Sequence, residues 1–135
     1  MEHHLGRMID HVHLVVADIE ASKRFYRAAL RAIGRDLSGE GDDYFHADEL
    51  YVSRAETYTS RVHLAFQAAD RAAVERFHRE AIAAGGRDNG APGERDYHPG
   101  YYGAFVFDPD GNNIEAVYHG PAQRSAASVI VTPSE

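Results

Sequence analysis

The sequence predicts an α+β protein: two βαβββ modules in a pseudo-two-fold arrangement, forming a cup-shaped, barrel-like mixed sheet with the helices outside. Three observations lead there. A shift of 52 positions lays His11–Asp36 over His63–Asp88 with twelve identities in 26 ungapped positions, including His11/His63, Asp18/Asp70, Phe25/Phe77 and Gly34/Gly86. Unrelated amphipathic segments of ordinary composition do not agree so well, so the chain is an internal duplication. Apolar residues alternate around both repeated histidines with the period of a strand. Each strand then runs into an apolar stripe of helical period that closes on glycine.

In the first copy Val12, Leu14 and Val16 oppose His11, His13 and Val15; in the second Val62, Leu64, Phe66 and Ala68 oppose His63, Ala65 and Gln67. Asp18 and Asp70 stand where an N-cap belongs, ready to accept from the free amides of the first turn. Ile19, Ser22, Phe25/Tyr26, Ala29/Leu30 and Ile33 make the stripe of the first helix, and Val74, Phe77 and Ala81/Ile82 that of the second. Gly34 and Gly85–Gly86 supply left-handed ends. Strands follow at Tyr44–Ala47 and Leu50–Arg54, around an Asp48–Glu49 corner. The second module repeats this with Gly103–Phe107 and Asn113–Tyr118 around Asp108–Asn112, whose Asp-Pro-Asp-Gly run is a hairpin-turn signal. Asn89–Gly100 reads as a long loop rich in Gly, Pro and aromatics. The expected division is one domain over 8–120, with module one at 8–58, module two at 59–120, and a tail at 121–135. Within the tail, Val129–Val131 is either a frayed end or an added edge strand.

A chain of 135 residues with 44% apolar content has room for one domain with a real core. Fourteen basic and 21 acidic residues leave a net charge of −7, with no basic cluster longer than two. Such a surface repels phosphate backbones and anionic lipid heads, so neither nucleic acid nor membrane is an expected partner. No apolar stretch is long enough for a span or a signal segment, and a cytoplasmic location is the expectation. The absence of cysteine excludes disulfides and thiolate chemistry. Nine histidines remain as the compositional oddity.

Strand parity says what those histidines face. The side opposite the apolar one carries His11, His13, His63 and Gln67. On the last strand, Ile114, Ala116 and Tyr118 alternate with Asn113, Glu115, Val117 and His119. A core has no use for so many polar groups, because each costs stability unless paired. If the modules meet about their axis, His11 and His63 approach from equivalent positions and Glu115 adds an anionic third arm. Two imidazoles and a carboxylate suit one divalent metal ion (Fe, Mn, Zn or Ni) with positions left open. A lone strand histidine is more often simply packed against a hydrogen-bond partner; the symmetric pair with a glutamate of matching parity favours ligation. His13, about 7 Å further along the strand, is either a general acid/base or a supporting hydrogen-bond residue. In the segment Arg95–Tyr102, His98 and Tyr102 are placed against substrate, with Tyr97 and Tyr101 as aromatic walls and Arg95 as a holder of carboxylate. The alternative is a proline-pinned loop packed by its own aromatics. His119 reads as a rim residue, His3 and His4 as an exposed tail, and His46 and His78 as surface or interface positions.

The stretches HVHLVVADIEASKRFY, RVHLAF and GAFVFDPDGNNIEAV resemble the vicinal-oxygen-chelate superfamily of glyoxalases, extradiol dioxygenases and bleomycin-resistance proteins, over roughly residues 8 to 120. The resemblance implies His11, His63 and Glu115 as metal ligands, the three already reached from parity. It further implies a homodimer and metal-dependent chemistry on vicinal oxygens of a small-molecule substrate, of dioxygenase, isomerase or lyase type. One strand departs from the pattern. Glyoxalase-like members bring a further carboxylate from the last strand of the first half, where ELYVSR offers Tyr51 and Ser53, with Glu49 at the turn. A three-ligand site of dioxygenase type therefore fits better. The alternative function is a metal-free binding protein that sequesters a drug or metabolite, as bleomycin-resistance relatives do; those generally lack the full ligand set.

Overall fold

A computed structural model describes residues 2–134; Glu135, the last residue of the expected tail, lies outside the described residues. The elements run β1 (Val12–Val16), α1 (Ile19–Ala32), β2 (Gly39–Glu40), β3 (Tyr44–Ala47), β4 (Leu50–Arg54), β5 (His63–Gln67), α2 (Arg71–Ala83), β6 (Arg87–Glu94), β7 (Tyr102–Phe107) and β8 (Asn113–Tyr118). Both helices start as their sequence signals require. Asp18 accepts from the Ala21 amide at 3.1 Å and Asp70 from the Ala73 amide at 2.8 Å. They end before Gly34 and Gly85, at φ 82° and 109°. The strands form two sheets of equivalent order, β1-β4-β3-β2 and β5-β8-β7-β6. In each, the first pair is parallel and the others antiparallel. The protein is thus an α+β pair of βαβββ modules.

Alternation decides what is buried. Leu14, Val16, Phe45 and Val52 from the first sheet join Phe25, Tyr26 and Ala29 of α1. Ala104, Val106, Ile114 and Ala116 from the second join Val74, Phe77 and Ala81 of α2, and all belong to one continuous core. Leu64 and Phe66 point to the same side but are only half-buried, whereas Leu14 and Val16 on β1 are fully buried. Within one chain the two sheets share no ladder. The modules are joined instead through their helices and one turn. Phe25 crosses into module two, where a Cβ on Gly86 would meet its ring at 2.7 Å. Arg76 Nε donates to the Ala32 carbonyl at 3.1 Å, and the Tyr26 hydroxyl donates to Asp108 at 2.5 Å.

One expected loop is in part a strand. Residues 87–94 pair with β7, with register slips between Asp88 and Gly90 and between Gly90 and Gly93. The reason is position: β6 is the sheet edge, where Pro92 withholds no ladder bond and glycine bulges are tolerated. Val129–Val131 belongs to no strand and is exposed. Among the described residues no helix is long and apolar enough to cross a membrane.

Candidate metal centre

Each sheet has a face that its helix leaves uncovered. On the second sheet this face carries one functional side chain per strand: His63 from β5, Glu115 from β8 and Phe105 from β7. Glu115 is only 2% exposed. A carboxylate so deep needs donors. His63 Nε2 gives one to Oε1 at 2.8 Å, and the Tyr101 hydroxyl gives the other to Oε2. The His63 side chain is 54% exposed, so the imidazole stands at the mouth with the carboxylate beneath it. Burial, reinforced by the bond to Glu115, holds the Tyr101 hydroxyl well above the usual phenol range. Tyr101 therefore remains a donor at neutral pH. Gly103 makes room, since a Cβ there would meet Glu115 Oε2 at 3.1 Å and Tyr101 Cε1 at 3.2 Å.

Two further histidines brace Tyr101. His98 Nδ1 donates to the Pro99 carbonyl at 2.9 Å, so in the neutral pair its Nε2 accepts from His119 Nδ1, also at 2.9 Å. The rings stack, and Tyr101 meets them edge-on at 5.4 and 5.2 Å. Of the two adjacent tyrosines it is Tyr101 that reaches Glu115. Tyr102, expected at the substrate, donates to Glu75 of α2 at 2.9 Å and lies under Arg71, on the helix side. Parity carries the signal: Tyr101 shares a face with Gly103 and Phe105, and Tyr102 with buried Ala104 and Val106. Tyr101→Phe should therefore lower stability by about 1–2 kcal/mol, one donor being lost to a buried acceptor. Tyr102→Phe, at the surface, should stay within about 0.5 kcal/mol. Urea unfolding of both variants checks this, and equal effects would contradict the assignment.

On the first sheet, His11 and His13 lie together with His46, Asp48, Glu49 and Tyr51 around an open hollow of about 440 Å³. His11 is exposed and its Nδ1 donates to Asp10 at 2.6 Å. His13 Nε2 bonds Ser53 Oγ at 2.7 Å and meets Tyr51 edge-on, and Tyr51 stacks on Tyr44. Register explains the departure in ELYVSR. His13 pairs with Tyr51 as Ala65 pairs with Glu115, so Tyr51 occupies the place that Glu115 has in module two. The structure thus unites His63 with Glu115 and His11 with His13, on different sheets. Among the described residues no three His, Asp or Glu side chains converge to hold a metal ion.

Known proteins share this architecture. A crystal structure of a glyoxalase/bleomycin resistance protein from Albidiferax ferrireducens is 30% identical, with a TM-score of 0.69 over 82% of this chain and 98% of that one. A glyoxalase/bleomycin resistance protein/dioxygenase family enzyme from Burkholderia phytofirmans is 24% identical, with a TM-score of 0.63 over 81% and 96%. A glyoxalase-related enzyme from Fulvimarina pelagi, 21% identical, matches 96% of this chain and 99% of its own at a TM-score of 0.67. A search of curated proteins finds no match. The sequence profile of the Glyoxalase/Bleomycin resistance protein/Dioxygenase superfamily covers residues 8–116. With duplicated modules, uncovered sheet faces and that match over most of its length, the chain belongs to the glyoxalase/bleomycin resistance protein/dioxygenase superfamily.

Proposed function

We propose that the protein is a metal-dependent enzyme acting on vicinal oxygens of a small molecule, as a cytoplasmic homodimer whose ligands are His63 and Glu115 of one chain and His11 of a second copy. The observation that carries this is the His63–Glu115 pair at 2.8 Å on an uncovered face. The duplicated His11 lies on the uncovered face of the other module, in the same chain but on a separate sheet. One chain offers two donors; face-to-face pairing of unlike modules adds the third. Charge favours that pairing. The hollow near His11 is lined by Asp48 and Glu49, while on the His63 side Arg87 lies over Phe107 and Arg124 donates to Gln67. Among the described residues none of Asp48, Glu49 or these arginines is in an ion pair. Complementary faces of this kind orient encounter.

A bound divalent ion would supply Lewis-acid polarisation of the substrate oxygens. The chain's own residues do the rest. Tyr101 fixes the Glu115 carboxylate, and the stacked His98 and His119 rings both brace Tyr101. His13, its imidazole bonded to Ser53, is the candidate base. In this proposal Tyr101, read from the sequence as an aromatic wall, positions Glu115, while Tyr102, expected against substrate, bonds Glu75.

Elemental analysis of the purified protein tests the reading. About one divalent ion per chain is expected, and it should vanish in His63→Ala. Metal that persists in the variant would reject these ligands. The rival, a metal-free binding protein, draws on the fact that among the described residues no single-chain group of three ligands exists; a metal-free wild type would favour it. Iron would direct assays to oxygen uptake with catechols, and zinc or nickel to hemithioacetals and epimerisable acids.

A further inference from the structure

Beside the candidate ligands lies a positive charge that the chemistry above leaves unused. Phe105 stands opposite Glu115 in the β7–β8 register. The His63 ring approaches Phe105 at 5.8 Å, and the Arg95 guanidinium lies over the same Phe105 ring at 5.4 Å. One aromatic side chain thus relates the imidazole to the cation, a span that one small organic molecule can bridge.

Backbone holds Arg95 in this position. Its terminal nitrogens donate to the carbonyls of Ala91 at 2.8 Å and Glu94 at 3.2 Å, and its amide donates to the Tyr101 carbonyl at 3.1 Å. Two glycines clear the space. A Cβ on Gly90 would lie 2.9 Å from the Phe105 ring and 3.3 Å from an Arg95 terminal nitrogen, and one on Gly93 would lie 3.1 Å from the other. Those are the positions where β6 slips register. Among the described residues no carboxylate pairs with Arg95, and neighbouring Glu94 is engaged by Arg71 at 2.7 Å. Glu115 already accepts from His63 and Tyr101. A guanidinium carries five N–H donors in a planar fork, and two carbonyls leave most of them free. A half-buried cation with spare donors is completed by an oxyanion from outside.

Resting on the vicinal-oxygen reading, we infer that Arg95 anchors a carboxylate of the substrate, so that the substrate class is a small organic acid. Its chelating oxygens lie toward His63 and Glu115 and its acid group toward Arg95. The test uses two probes that differ only in the carboxylate, 3,4-dihydroxybenzoate and catechol, titrated calorimetrically into the purified protein. The acid should bind the wild type about tenfold tighter than catechol, the scale of one charge-assisted contact. Arg95→Gln should bring the two probes to within about twofold, and Arg95→Lys should keep part of the preference. Arg79→Gln, which removes an exposed cation of α2 paired with Glu80 at 3.4 Å, should leave the preference intact. Equal affinities on the wild type, no binding of the acid, or a preference that survives Arg95→Gln would each overturn the assignment. Metal content separates this from the metal reading, because Arg95→Gln should retain the ion. A carboxylate preference that tracks Arg95 in a protein without metal would sink the metal centre and leave the anion site standing.

Discussion

Mixing the His11→Ala variant with the His63→Ala variant, after brief unfolding and refolding together, should restore metal that neither variant holds alone. If unlike modules of two copies face each other, a heterodimer carries both substitutions in one cup and none in the other. Random pairing makes about half of the dimers mixed, so roughly a quarter of the wild-type metal should return. A cup closed within one chain gives no recovery at all. The experiment decides between the two arrangements because the structure puts His11 and His63 on sheets that share no ladder. Recovery absent in a sample shown to contain heterodimers would reject the shared centre.

The largest stability effect is expected at Asp108, which is 2% exposed and whose carboxylate accepts four hydrogen bonds. The donors are the Tyr26 hydroxyl at 2.5 Å, the Asp110 amide at 2.9 Å, and the amide and side chain of Asn112 at 2.8 and 2.9 Å. Asn112 in turn accepts from the Val62 amide at 2.8 Å, and Asp110 from the Ala17 amide at 3.2 Å. One turn thus ties α1 to the end of β1 and the start of β5. Asp108→Ala strands several buried donors and should cost about 3–5 kcal/mol, lowering the melting temperature by about 10 °C or more. Tyr26→Phe removes a single bond and should cost about 1–2 kcal/mol. A double-mutant cycle should show strong coupling, and additive losses would deny the linkage. Burial, then the Asp108 charge, raises the Tyr26 hydroxyl far above its usual range. The unfolded phenol ionises first, so this contribution is full below about pH 10 and lost as pH climbs further. Wild type should converge on Tyr26→Phe in alkali, as thermal melts can show.

The duplication, the two helices with their aspartate caps, and the face that His63 shares with Glu115 were legible in the sequence. These depend on local rules: a strand alternates at every residue, and a cap accepts from amides two or three positions on. The neighbourhood of Glu115 is another matter. Parity could distinguish Tyr101 from Tyr102, but only with the start of β7 known, and the aromatic run before it blurs that boundary. The segment from Asn89 carries Gly and Pro that read as loop, and only pairing with β7 shows it as a bulged edge strand. The seat of Arg95 over Phe105 follows from those bulges.

Two modules and two uncovered faces follow from periodicity alone, because periodicity is a property of neighbouring residues. That His63 meets Glu115 while His11 stands apart, beside the other sheet, emerges from long-range packing. The first follows from parallel pairing of β5 with β8, and the second from the way α1 packs on α2 and Tyr26 reaches Asp108, all contacts between residues far apart in the chain.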